Sequence, residues 1–216
     1  MSRFFNYLYF FISTLTILLL AACWQLDGST EKPVVIPEMN ANMDVAIFAG
    51  GCFWCTESDF DKVPGVVATI SGYIGGTVEN PTYKQVVAGK TGHVEAVQVY
   101  FDTTQTSFSK LLAAYWLTID PLAHNRQFCD IGSQYRAVIF YRDSEQKGLA
   151  EASKKALELS GRFAQPVTTE ILPTSVFYPA ENEHQDYYIK NPQRYANYRN
   201  NCGRDDRLMA LWGRKH

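Results

Sequence analysis

Two cysteines stand three residues apart in Ala49–Phe60, AGGCFWCTESDF, with Gly50-Gly51 ahead of them and Phe53-Trp54 between them. A C-x-x-C pair serves three chemistries: thiol–disulfide exchange, half of a zinc site, or one reactive thiolate with a helper. The surroundings point to reactivity at Cys52. The run from Phe53 to Val63, stopped by Pro64-Gly65, reads as a helix. Cys52 then falls at its N-terminus, where unpaired N–H groups and the positive dipole end favour a thiolate. The preceding glycines let the backbone turn tightly and approach a ligand. A second chemical residue lies in TGHVEAVQVYF, Thr91–Phe101. Its alternation puts His93, Glu95, Val97, Val99 and Phe101 on one face of a strand. A carboxyl sharing a face with three apolar residues is expected to be desolvated and held protonated; the alternative is a Glu95 on an edge strand that reaches water.

Other elements must hold these two together. Strands are expected at Met43–Ala49, Val66–Gly72 (running on to Tyr73), Gln134–Arg142 and Val167–Leu172. Helices are expected at Tyr83–Ala88, at Ser107–Leu117, from a Ser144 cap to Ser160 with Gly161 as the stop, and from Glu183 to Tyr188, resuming after Pro192 as far as Tyr198. Pro121–Ser133 reads as a long polar loop. No regular βαβ rhythm runs through this order, so the expected class is α+β: two layers, one mixed sheet with helices packed on it. The 216 residues are 46% hydrophobic, enough for one domain with its own core. A net charge of −2, with no basic run interleaved with aromatics, argues against nucleic acid as a partner. A monomer is expected.

The first 22 residues do not read as domain. One cation, Arg3, precedes an almost uncharged run that ends Leu20-Ala21-Ala22-Cys23. This is an export-signal pattern, and its end resembles the bacterial lipobox, which makes Cys23 the expected lipidation site. Residues 23–42 then read as a tether, 43–200 as the catalytic domain, and 201–216 as a C-terminal tail. The folded part is expected outside the cytoplasm, anchored to a membrane and facing the periplasm or the cell exterior. Four cysteines remain: Cys52, Cys55, Cys129 and Cys202. An even count in an exported chain is also what a disulfide-stapled or zinc-stabilised binding domain shows, and C-x-x-C alone also fits a thiol–disulfide oxidoreductase.

Five ordered motifs single out one family. Gly51-Cys52-Phe53-Trp54 with Glu57, Ser71-Gly72-Tyr73 with Gly75-Gly76, His93 through Val97, Asp130 through Arg136, and Phe177 through Gln185 together resemble peptide methionine sulfoxide reductase A. The resemblance implies a two-layer α/β sandwich with a ferredoxin-like core, and reduction of methionine S-sulfoxide, protein-bound and possibly free. In this reading Cys52 attacks the sulfoxide sulfur and Glu95 is the general acid. Tyr73 and Tyr135 donate hydrogen bonds to the sulfoxide oxygen, Asp130 supports them, and Phe53 and Trp54 wall the S-methyl slot. A sulfenic acid forms on Cys52 and condenses with a second thiol, and a thioredoxin-like reductant resets the enzyme by exchange. No metal, flavin or nicotinamide is required. The chain departs from the common signature by carrying Cys55 where glycine is usual. Cys202 and Cys55 are both candidates for the resolving thiol, a relay through both is open, and Cys129 is expected to pack near the site. Oxidised exported proteins are the implied substrates.

Overall fold

Strand β1, Met43–Ala49, is apolar almost throughout and its last five residues are buried. A strand covered on both faces reads this way, and β1 lies inside a sheet between two neighbours. The structure is a computed structural model and describes residues 34–213. The sheet has six strands in the order β7-β6-β1-β3-β2-β8: β2 is Val66–Ile74, β3 Val94–Asp102, β6 Val138–Tyr141, β7 Glu170–Pro173 and β8 Tyr178–Pro179. All neighbours pair antiparallel except β6 with β7, which are parallel. Seven helices accompany it among the described residues: α1 Phe53–Phe60, α2 Tyr83–Val87, α3 Phe108–Thr118, α4 Ser144–Leu159, α5 Tyr187–Lys190, α6 Pro192–Asn201 and α7 Arg204–Trp212. The expected α+β class with a mixed sheet is what the structure contains.

The helices share one face. Ala46 and Phe48 of β1 and Val97, Val99 and Phe101 of β3 meet Phe53 and Phe60 of α1 and Leu111, Leu112 and Tyr115 of α3 in one buried cluster. Val45, Ile47, Val94, Ala96 and Tyr100 point the other way into a second cluster, as the alternation of β3 requires. Phe48 stacks on Phe60 at 4.9 Å and on Tyr115 at 5.0 Å. Such pairs add about 0.5–1.5 kcal/mol each beyond area burial, so α1 is pressed against the sheet by its far end while Cys52 stands at its near end.

Four boundaries differ from expectation. Helix α4 is capped by Asp143, whose Oδ1 accepts from Gln146 N at 2.8 Å, and Ser144 is its first helical residue. The loop Pro121–Ser133 holds a small two-stranded sheet, β4 Arg126–Gln127 with β5 Asp130–Ile131. The strand expected from Gln134 starts at Val138, because Ser133–Tyr135 winds into a 3-10 turn. Residues 201–216, expected as a tail, carry helix α7, with Arg204, Leu208 and Leu211 buried on one side. The export signal, Cys23 and the first part of the tether lie outside the described residues. Among the described residues no helix is long and apolar enough to cross a membrane.

Candidate active site

Chain direction puts Cys52 just beyond the C-terminal end of the central strand β1. β1 ends at Ala49, Gly50-Gly51 turns the chain, and α1 begins at Phe53. Gly51 has φ +86°, and a Cβ there would stand 2.5 Å from the Gln127 Cβ, so the turn demands glycine on two grounds. Gln127 is fixed in turn by a two-point bond to Asp120, its Oε1 accepting from Asp120 N at 2.9 Å and its Nε2 donating to Asp120 O at 2.8 Å.

Cys52 and Cys55 are both free thiols and both buried. The helix-terminus argument predicts a thiolate on Cys52, and here burial overrules it. Desolvation pushes the Cys52 thiol well up, and its hydrogen bond to Cys55 and the charges of Cys55, Glu95 and Asp130 push the same way. Cys55 goes down: it accepts the Cys52 hydrogen bond, and Arg204 and Arg199 lower it further against the cost of its own burial. Of the two thiols Cys55 is therefore the more readily ionised, with Cys52 the hydrogen-bond donor.

Glu95 sits where the strand alternation put it. It is 1% exposed, and its Oε2 accepts from Phe53 N at 3.0 Å, which brings the carboxyl to the start of α1 beside the nucleophile. Burial raises its pKa to about 8, partly offset by that N–H bond. At neutral pH it is mostly a neutral acid.

Phe53 and Trp54 form part of an aromatic wall that sequence reasoning saw only in part. Trp54 stacks on Tyr187 at 3.7 Å and its Nε1 donates to His184 Nδ1 at 3.2 Å. Tyr83 stacks on His184 at 4.2 Å and on Phe53 at 6.1 Å. Gln185 anchors this segment to β2, accepting from Ser71 N at 2.9 Å and donating to Ser71 O at 2.8 Å.

The tyrosines divide differently from expectation. Tyr73 is buried and donates to Glu181 Oε2 at 2.9 Å, while Glu181 Oε1 accepts from Tyr83 N at 2.8 Å. The Tyr73 hydroxyl serves Glu181 in this state, and it too feels the charge of Glu95. Tyr83 and Tyr135, like Tyr198, feel the charge of Cys52. Burial raises both strongly, and both feel Glu95, Asp130 and Cys52, so both remain protonated donors. Asp130 accepts from the hydroxyl of Tyr198, a residue of α6 that packs edge-on to Trp54 at 5.8 Å. Tyr83, Tyr198, His184 and Glu181 had no distinct signal in the sequence beyond, for the last two, a place in a motif.

Cys129 and Cys202 are joined in a disulfide. Cys202 is therefore not a free thiol in this state, and Cys129 is exposed, next to Asp130, whose charge reaches Cys52 and Glu95. Their sulfurs and the Asp130 carboxylate lie within 4.8 Å of one another, the one grouping of possible metal ligands among the described residues. Sulfurs held in a disulfide do not ligate, and Cys52 and Cys55 are not part of the group. Beneath α1 runs a charged network: Arg199 Nη1 to Asp59 Oδ1 at 2.9 Å, Arg199 Nη2 to Asp205 Oδ1 at 2.7 Å, and Arg204 Nη2 to Thr118 O at 2.8 Å. Arg204 is 1% exposed and lies over the Phe128 ring at 4.5 Å.

A buried dithiol, a neutral carboxylic acid at the same helix start, and phenol donors around them, carried on an α+β sandwich, define a cysteine-based oxidoreductase. The model of the family "Peptide methionine sulfoxide reductase" matches residues 44–216. The peptide methionine sulfoxide reductase MsrA of Halalkalibacterium halodurans is 51% identical over 176 residues, 82% of this chain and 100% of that protein. Methionine sulfoxide reductase A of Corynebacterium diphtheriae superposes with TM-score 0.63 at 34% identity, over 71% of this chain and 77% of the other. Mxr1 of Saccharomyces cerevisiae in reduced form gives TM-score 0.69 at 29% identity, over 74% and 91%. The chain belongs to the peptide methionine sulfoxide reductase family, oxidoreductases that return methionine sulfoxide to methionine.

Proposed function

We propose that this chain reduces the S-epimer of methionine sulfoxide in exported proteins, with Cys52 as nucleophile and Cys55 as the thiol that resolves it. The observation that carries the reading is the Glu95 carboxyl hydrogen-bonded to Phe53 N, one residue from Cys52. Phe53 and Trp54 grip the S-methyl group. As Cys52 attacks sulfur, Cys55 takes its proton and Glu95 protonates the departing oxygen. Tyr83 and Tyr135, backed by Asp130 and Tyr198, hold that oxygen as charge develops on it. Methionine leaves and Cys52 becomes a sulfenic acid. Cys55, hydrogen-bonded to Cys52, condenses with it, forming a disulfide and releasing water. A thioredoxin-like dithiol returns both thiols by exchange. The signal pattern and Leu20-Ala21-Ala22-Cys23 support an exported, lipid-anchored protein, and the sulfoxide-bearing proteins of that compartment are then its substrates. The test feeds S- and R-sulfoxide peptides to the full chain with dithiothreitol. Consumption of the S-epimer alone, abolished by Cys52→Ser, is expected. Consumption of the R-epimer, or an active Cys52→Ser variant, refutes the reading.

A further inference from the structure

The β4–β5 hairpin has a braced tip. Only Phe128 and Cys129 lie between its strands. Phe128 turns the chain at φ +52°, its ring lies 4.5 Å from the Arg204 guanidinium, and its carbonyl accepts from Arg126 Nη2 at 2.6 Å. Gln127, the residue before it, is fixed to the Asp120 backbone at two points. Cys129 and Asp130 thus leave a supported backbone side by side. Cys202 meets them from the link between α6 and α7, its Cα 5.0 Å from that of Cys129.

Two sulfurs and a carboxylate oxygen converge here, within 4.8 Å of one another. Cys129 Sγ stands 3.8 Å from Asp130 Oδ1. Zinc bonds of about 2.3 Å to sulfur and about 2.0–2.2 Å to oxygen give a tetrahedral S–O edge of about 3.6 Å. These two atoms therefore already stand at the spacing at which one ion is shared. The other oxygen, Oδ2, accepts from the Tyr198 hydroxyl, the kind of outer contact that orients a ligating carboxylate. Cys202 Sγ accepts from Cys129 N at 3.2 Å, a bond that strengthens when the sulfur is a thiolate. A groove of about 420 Å3, bounded among others by Phe128, Gln165, Gly203 and Arg207, opens onto Cys202 and gives an ion and its water a way in. The buried pair, Cys52 and Cys55, has no such third donor among the described residues.

We propose that reduction converts Cys129, Cys202 and Asp130 into a three-ligand site for Zn2+, with the fourth position left to water. Opening the disulfide takes two electrons and two protons from a dithiol of the thioredoxin class, which itself becomes a disulfide. Zn2+ then displaces the two thiol protons to solvent and binds two thiolates and one carboxylate oxygen. Thiolate ligands select zinc over Mg2+ or Ca2+. The consequence for activity rests on the reductase reading above. There Asp130 backs the phenols that hold the sulfoxide oxygen, so an ion on Oδ1 draws this carboxylate away from that work and slows the reaction. The oxidised state of the structure, with both sulfurs engaged in one bond, does not take up zinc, and the reduced state does.

The test titrates the full chain, reduced with a phosphine and freed of it without air, with Zn2+ by calorimetry. One ion per reduced chain is expected, none for the oxidised chain, and none for Mg2+. Co2+ in place of Zn2+ should give the thiolate-to-metal charge-transfer absorption of a tetrahedral site. Cys52→Ser should keep the ion, Cys129→Ser should lose it, and Asp130→Asn and Tyr198→Phe should each weaken it about 10–100-fold. No uptake, equal uptake in both redox states, uptake that survives Cys129→Ser, or uptake lost in Cys52→Ser overturns the site. Methionine formed from S-sulfoxide peptide in a single turnover should slow at least ~10-fold at saturating Zn2+ in the wild type, recover with a chelator, and be insensitive to Zn2+ in Cys129→Ser. An unslowed wild type with the ion bound overturns the restraint on activity. A chain that forms no methionine even without zinc overturns the reductase reading, while the calorimetry still decides the site.

Discussion

Replacing Glu95 with glutamine separates what this residue does for chemistry from what it does to the fold. Glutamine keeps an oxygen to accept the Phe53 N–H, now at 3.0 Å from the carboxylate, and nearly the same volume, but it has no proton to transfer. Loss of general-acid catalysis costs about 10²–10⁴ in rate, or roughly 3–5 kcal/mol of barrier at about 1.36 kcal/mol per decade. Stability moves the other way. Burial raises the Glu95 pKa from 4.5 to about 8, so between these values the folded state holds a proton that the unfolded state has lost, and stability falls as pH rises. At pH 7, 2.5 units above 4.5, this mismatch costs the wild type on the order of 3 kcal/mol, at about 1.36 kcal/mol per unit. Glu95→Gln removes it. The variant is therefore expected to be slow and more stable than the wild type near pH 7, with the two chains converging near the ordinary carboxylate pKa. Methionine release measured by chromatography and urea unfolding followed by tryptophan fluorescence provide the two readouts. Wild-type activity should also fall as pH rises through about 8, as the acid is lost. A variant within tenfold of wild-type rate, or one no more stable at pH 7 than at the carboxylate pKa relative to wild type, refutes the reasoning.

Three further outcomes follow from the same geometry. Tyr83→Phe removes a donor around the nucleophile and should lower kcat by about 10²–10³, whereas Tyr73→Phe, whose hydroxyl serves Glu181, should chiefly cost about 1–3 kcal/mol of stability; equal kinetic losses in a steady-state assay would contradict the division. Glu57, raised to about 8 by burial, adds to the loss of stability on going from about pH 5 to about pH 8.5, so Glu57→Gln should narrow the difference in Tm between those conditions, and an unchanged difference in calorimetry would count against it. Arg204→Met leaves the Gly50 and Thr118 carbonyls without their buried donor, with Asp59 still held by Arg199, and should cost about 1–3 kcal/mol while raising the pH at which Cys55 ionises, followed by ultraviolet thiolate absorbance; an unmoved titration would break the link between this guanidinium and Cys55.

What could be read in the chain was what is local and periodic. The β3 alternation set Glu95 beside Val97, Val99 and Phe101, and the Gly-Gly turn put Cys52 at a helix start. The protonated Glu95 follows from the same face. The sign of the Cys52 shift was not local: a dipole argument sees only α1, whereas burial and the charges of Glu95 and Asp130, distant in the chain, act on the thiol. Tyr83 was hidden because α2 has five residues and no pattern marks which tyrosine will turn inward. Tyr73 carried a motif and proved to serve Glu181. Helix α7 looked like a tail because RDDR opens it, although Arg204, Leu208 and Leu211 have helical spacing; a buried arginine fits that stripe only once Gly50, Thr118 and Phe128 are known to face it. The Cys129–Cys202 bond spans 73 residues, a pairing that depends on topology and not on spacing.

The central claim is that the sulfoxide oxygen passes to Cys52. The direct measurement is a single turnover of the full-length Cys55→Ser chain with S-sulfoxide peptide, no reductant, and a sulfenic-acid-specific trap, followed by peptide mass mapping. With the resolving thiol removed and Cys202 held by Cys129, the account predicts one methionine per chain and the trapped adduct on Cys52. Methionine formed with no adduct on Cys52, or with the adduct on another cysteine, would contradict it.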